Sequence, residues 1–74
     1  MTEEDRRKEL VAEVAKLRRE KGITQKQLEK LSGVKQPVIA RIETGAAVPQ
    51  ISTVIKLLAP LGKTLAIVPL HEAK

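Results

Sequence analysis

The side chains in this sequence best equipped to do chemistry are cations. Between Lys16 and Arg41 lie eight bases (Lys16, Arg18, Arg19, Lys21, Lys26, Lys30, Lys35 and Arg41) against two acids, Glu20 and Glu29, a surplus of six positive charges. Residues 1–9 hold four acids and three bases and are close to balanced. The formal net charge of +5 is therefore concentrated in one stretch. A basic segment of that kind in a small domain favours a polyanionic partner. It suits a solvated, lysine-rich surface equally well, and charge alone does not separate the two.

Other chemistries find little to work with. There is no cysteine and a single histidine, which excludes disulfide staples and a Cys/His zinc site. No Ser–His–acid set, glycine-rich phosphate loop or group of carboxylates at metal spacing is present, so neither an enzyme nor a cofactor is expected. Glu3, Glu4 and Asp5 read as favourable charges at a helix N-terminus, and His71, in the tail, reads as a surface residue. The chain also lacks Phe, Trp and Tyr. Single-stranded nucleic acids are usually held by stacking on aromatic rings, so that reading falls, while duplex DNA stays open.

The Met1-Thr-Glu-Glu-Asp start is polar, and no apolar run approaches the roughly 20 residues that span a bilayer. The expectation is a soluble cytoplasmic protein that uses no membrane and no small-molecule substrate. Its 74 residues form one domain, 1–74. A chain this short buries only about 60% of its unfolded surface, so a second subunit would help it.

The elements that must position these charges can be read from spacing. Leu10, Val14 and Leu17 recur at i, i+4, i+7 in a first amphipathic helix, about Glu3 to Lys21, with Gly22 as its stop. Thr24 with Gln27 has capping-box spacing and opens a second helix, about Gln25 to Leu31, which buries Leu28 and Leu31. Ser32-Gly33 ends it. A third helix, about Gln36 to Glu43, has Pro37 in its first turn and Val34, Val38, Ile39 and Ile42 as apolar positions. A fourth, about Gln50 to Ala59, turns Ile51, Val54, Ile55 and Leu58 inward until Pro60 distorts or ends it. Thr64-Leu65-Ala66-Ile67-Val68 is the one strand-like run. A lone strand has no partner in its own chain and invites a second copy.

Two short helices joined through Ser32-Gly33-Val34 within a basic surround make a helix-turn-helix candidate, at about residues 24–45. The run from Gly22 to Gly45, with Thr24-Gln25, Gly33-Val34, Gln36 and Arg41-Ile42-Glu43, closely resembles the Cro/C1-type (Xre) repressor family. The likeness continues through Pro49 to Leu61-Gly62. It implies an all-α fold: a small, lambda-repressor-like bundle of four to five helices, with a short C-terminal β-strand at about 64–68 used for dimerisation. Glu29 stands where the family usually has alanine at the close approach of two helices. Its longer side chain either reaches the surface to pair with a base or widens the crossing.

The resemblance also implies roles. The helix Gln36–Glu43 would enter the major groove, with Gln36 and Arg41 reaching base edges. A glutamine can pair bidentately with adenine and an arginine with guanine. Lys35, Pro37, Val38 and Ala40 share the exposed side. Gln25 would hold a phosphate, and Lys26, Lys35 and Thr44 would touch the backbone. Leu65, Ala66, Ile67 and Val68 would pair with a second copy, and Glu43 would pair with Arg18. Each role has a structural counterpart: Gln36 as a helix cap, Lys26 and Lys30 as solvent-facing charges, Arg41 paired with Glu29.

The function implied is a homodimeric repressor of a pseudo-palindromic operator. The length and the ending Leu61-Gly-Lys-Thr-Leu-Ala-Ile-Val-Pro69 are similar to HigA-type antitoxins of host-inhibition-of-growth modules, which bind a ribonuclease toxin and repress their own operon. The rival reading is a protein-interaction or coactivator-type adaptor module that keeps the fold without specific DNA binding.

Overall fold

The computed structural model describes residues 2–70; His71 lies outside them. The chain folds into α1 (Glu3–Glu20), α2 (Gln25–Ser32), α3 (Gln36–Glu43) and α4 (Ile51–Leu58), followed by a 3₁₀ turn over Ala59–Leu61.

Local chemistry fixes the helix ends. Thr2 and Asp5 form a reciprocal capping box at the start of α1, each side chain meeting the other residue's backbone N–H at 3.1 Å. Acids fill the first turn of α1, and Arg18 and Arg19 lie in its last, the order the helix dipole favours. The expected box at α2 is also formed: the Gln27 N–H donates to Thr24 Oγ1 at 3.0 Å and the Thr24 N–H to Gln27 Oε1 at 2.7 Å. Gly33 closes α2 in the left-handed region, φ 81°, where its N–H reaches the Glu29 carbonyl. A residue with a Cβ would be strained there.

One apolar core joins all four helices. Val14, Leu28, Val34, Ile39, Ile42, Val54, Leu57, Leu58 and Leu61 are buried, with Leu10, Val11, Leu17 and Leu65 packed partly against them. Three expected core residues stand outside it. Leu31 is 60% exposed, at the end of α2 beside Lys21, Gly22 and Ile23 in an open surface depression. The inner face of α4 is rotated from the expected one: Ile51 and Ile55 are exposed, and Leu57 is buried in their place. Val54, Leu57, Leu58 and Leu61 continue one stripe at i, i+3, i+4, i+7. The 3₁₀ turn at Pro60 carries Leu61 into the core, and the buried stripe of α4 is the one that runs into it.

The expected C-terminal strand is not formed. Residues 63–70 have no regular secondary structure, and there is no strand among the described residues. Leu65 turns back onto the bundle's core, and Ala66 lies beside Arg6, Glu9, Leu10 and Glu13 of α1 across an open groove. A strand is defined by its partner, and within one chain this segment has none to pair with.

Candidate nucleic-acid interface

The turn between α2 and α3 is built by its own residues. Ser32 Oγ donates to the Leu28 carbonyl at 2.6 Å and accepts from the Val34 N–H at 3.1 Å. Buried Val34 and Ile39 then hold α3 against Leu28. This leaves one side of α3 open. Lys35, Pro37, Val38, Arg41 and Thr44 are all exposed, with Gln36 and Ala40 half-buried beside them. Lys26, in the first turn of α2, is exposed as well.

Gln25 and Gln36 meet at the junction of the two helices, where Gln36 Nε2 donates to Gln25 Oε1 at 2.8 Å. Gln25 Nε2 donates in turn to Glu43 Oε1 at 2.9 Å. Glu43 is held by Arg18 through two bonds, Nε to Oε2 at 2.7 Å and Nη2 to Oε1 at 2.9 Å. The third arm of the guanidinium caps the Ile23 carbonyl at 2.8 Å. The expected Arg18–Glu43 pair therefore exists, and it forms the base of a chain of hydrogen bonds that ends at Gln36. Burial alone would push the Glu43 carboxyl up. The bonds from Arg18 and Gln25, with the charges of Arg18 and Arg19, outweigh burial and hold it below its ordinary 4.5.

Glu29 reaches across the turn to the start of α3. Its Oε1 accepts the backbone N–H of Gln36 at 3.1 Å, so α2 caps the start of α3 from outside. Lys35, the N-cap residue, supplies no side-chain cap of its own. Lys26 Nζ lies 3.6 Å from the same carboxylate oxygen. Glu29 does reach a base, then, but Lys26 rather than Arg41, whose guanidinium has no ion pair among the described residues. Gln36 does not cap α3 either; its side chain points to Gln25.

The two helix starts differ in electrostatic character. At α3 the Gln36 N–H is taken by Glu29, residue 37 is a proline, and the Val38 and Ile39 N–H groups both reach the Lys35 carbonyl. That end is closed and carries a carboxylate. At α2, Thr24 takes the Gln27 N–H and its carbonyl takes that of Leu28, so the Gln25 and Lys26 N–H groups keep the outward orientation of any first helical turn. The start suited to an anion is that of α2, beside Gln25 and Lys26.

Thr44 Oγ1 donates to the Arg41 carbonyl at 3.2 Å, which fixes the side chain at the end of α3. Sequence reasoning missed the bond from Glu29 to the start of α3. The signal available was a carboxylate seven residues before Gln36, across a turn whose N-cap residue is a lysine.

A helix-turn-helix family model (HTH_3) matches residues 14–68. A Haemophilus influenzae protein named an uncharacterized HTH-type transcriptional regulator is 64% identical over 62 residues, which cover 84% of this chain and 63% of that protein. The chain thus spans less than two thirds of that relative's length. The HTH-type transcriptional regulator y4dJ of Sinorhizobium fredii is 40% identical over 58 residues, covering 78% of this chain and 75% of the relative. Among solved structures, a toxin–antitoxin module from Streptococcus pneumoniae contains a chain that is 59% identical and superposes with a TM-score of 0.75. The match covers 93% of this chain and 76% of that one.

Proposed function

Because the chain belongs to the helix-turn-helix family HTH_3, we propose that it is a sequence-specific repressor that binds double-stranded DNA, and that it serves as the autoregulating antitoxin of a toxin–antitoxin module. The observation that carries the reading is the open face of α3. Lys35, Pro37, Val38, Arg41 and Thr44 are presented together, and Arg41 has no ion pair among the described residues. An exposed guanidinium on a short helix, flanked by small side chains and lysines, suits a guanine edge in the major groove. Gln36 meets the neighbouring base, and Ala40 and Val38 meet thymine methyl groups.

Gln25, Lys26, Lys35 and Thr44 hold the phosphate backbone, with the open start of α2 as the anion-binding end. The antitoxin part rests on the likeness to a chain of the Streptococcus pneumoniae toxin–antitoxin module, and a ribonuclease toxin is the partner that the resemblance to HigA-type antitoxins implies. The protein acts as a homodimer on a pseudo-palindromic operator, with two recognition helices about 34 Å apart. Ala66, Ile67 and Val68 are exposed, and with Leu65 they supply the contact to the second copy. A monomer by light scattering at micromolar concentration would remove the dimer.

The deciding experiment is selection of preferred duplexes from a random library, with Arg41→Ala beside the wild type. An inverted repeat that loses information at one base pair per half-site in the variant supports the reading. No enriched sequence, even at low salt, overturns it in favour of the adaptor alternative.

A further inference from the structure

The side-chain bonds between α2 and α3 at this face run in one direction, from Gln36 to Gln25 to Glu43, and Arg18 of α1 donates to Glu43 from the other side. Direction matters here because a glutamine amide has two unlike ends. An ionised carboxylate only accepts, so Gln25 must turn its NH2 towards Glu43 and its carbonyl oxygen away. That oxygen requires a donor, so Gln36 must turn its own NH2 inward. The Gln36 amide is left with one N–H and its carbonyl oxygen for an outside molecule.

We infer that Glu43, acting through Gln25, sets which way round the Gln36 amide meets a base pair, and so is a positioning residue for sequence choice that never touches DNA. The inference rests on the DNA-binding reading above and adds a device to it. A donor and an acceptor in fixed order match a base edge that offers the complementary pair, as adenine N7 and N6 do in the major groove. An amide free to flip would present either order and discriminate less. Glu29 strengthens the device by holding the backbone N–H of the same residue, so Gln36 is tethered at both its main chain and its side chain. Both tethers come from α2, one turn apart.

The test is duplex selection with four proteins: wild type, Gln36→Ala, Gln25→Ala, and a swap combining Gln25→Glu with Glu43→Gln. Gln36→Ala identifies the base pair that Gln36 reads. At that pair Gln25→Ala is expected to lose about tenfold in discrimination, the size of one bidentate contact. In the swap, the new carboxylate at position 25 still accepts from Gln36, while the new amide at position 43 donates to position 25 from the place of Oε1 and keeps its oxygen for Arg18 Nε, giving up the Arg18 Nη2 bond. The orientation of Gln36 is therefore kept and the preference returns.

Wild-type discrimination retained in Gln25→Ala, or a folded swap that behaves like Gln25→Ala, overturns the inference while leaving DNA binding intact. So does a Gln36→Ala protein that loses no base preference. If circular dichroism shows the swap unfolded, Glu43→Gln takes its place: an amide at position 43 can face Gln25 with either end, so discrimination at that pair is expected to fall, and wild-type discrimination overturns the inference. No enriched sequence for the wild type removes the DNA reading and the relay with it.

Discussion

Arg18 and Glu43 lie 25 residues apart in sequence and are joined by two bonds of 2.7 and 2.9 Å, with side chains only 11% and 9% exposed. The pair ties the last turn of α1 to the last residue of α3. Removing either partner strands the other in a poorly solvated position, which costs far more than an exposed ion pair is worth. Arg18→Ala and Glu43→Ala should each destabilise the domain by about 3 kcal/mol in urea titrations. The double variant should lose much less than the sum of the two, and strict additivity would show the pair to be incidental.

The same pair gives the fold an acid-sensitive element. Folding lowers the Glu43 pKa below 4.5, so its contribution is complete above the unfolded value. It is lost as pH falls from about 4.5 through the lower folded value. Stability followed by thermal melts should therefore decline on acidification in that range. Glu43→Gln should be less stable at neutral pH and should show a flatter acid limb. Parallel limbs for the two proteins would assign the acid sensitivity to other carboxylates.

Glu29 replaces a missing cap rather than crowding the helix pair. Glu29→Ala should expose the Gln36 N–H and cost about 1 kcal/mol, the usual size of a lost N-cap. For a domain of this length that lowers Tm by roughly 4–8 °C. Glu29→Gln keeps the acceptor and should recover much of the loss. A Glu29→Ala protein as stable as the wild type would mean that the small side chain packs well enough to offset the cap.

The rotated face of α4 separates two residues that look alike in sequence. Leu57 is 1% exposed and Ile55 is 42% exposed. Leu57→Ala should cost about 2–5 kcal/mol through lost burial and a cavity. Ile55→Ala should cost less than about 1 kcal/mol in a monomer, in line with its partial exposure. Equal losses would put Ile55 at a buried interface, and repeating the measurement across protein concentration would reveal it.

Much of this arrangement was legible in the sequence, and the exceptions have physical reasons. Helix ends were readable because their causes are local: Thr24 with Gln27, Gly33 with its left-handed φ, and Pro60 all act within a few residues. Which stripe of α4 is buried was not local. Ile51, Val54, Ile55 and Leu58 keep helical spacing as well as Val54, Leu57 and Leu58 do, and only the path through Pro60 to Leu61 selects between them. The β-branched composition of residues 64–68 points to a strand, but strand formation depends on a partner that composition does not supply. At the interface, side-chain types pointed to Gln25, Gln36 and Arg41 through family likeness. The bonds between Gln25, Gln36 and Glu43 depend on how two helices cross, which periodicity does not encode.

The proposed contacts divide into those that read sequence and those that only hold the backbone, and salt distinguishes them. Lys26 and Lys35 are assigned to phosphates, so Lys26→Ala or Lys35→Ala should weaken binding to every duplex alike. Each should also reduce the slope of log K against log salt by about 1, because one fewer counterion is released. Arg41 is assigned to a base edge. Arg41→Ala should cost about 1–3 kcal/mol on the preferred duplex and much less on a duplex altered at the base pair it reads. Titrations at several salt concentrations, with preferred and altered duplexes, give both quantities from one data set. A uniform loss with a reduced salt slope for Arg41→Ala would move that residue to the backbone and leave base reading to Gln36 and its neighbours. Lys26 carries an additional constraint, since its ammonium lies 3.6 Å from Glu29. If that pair persists on DNA, Lys26→Ala should change the salt slope less than Lys35→Ala does.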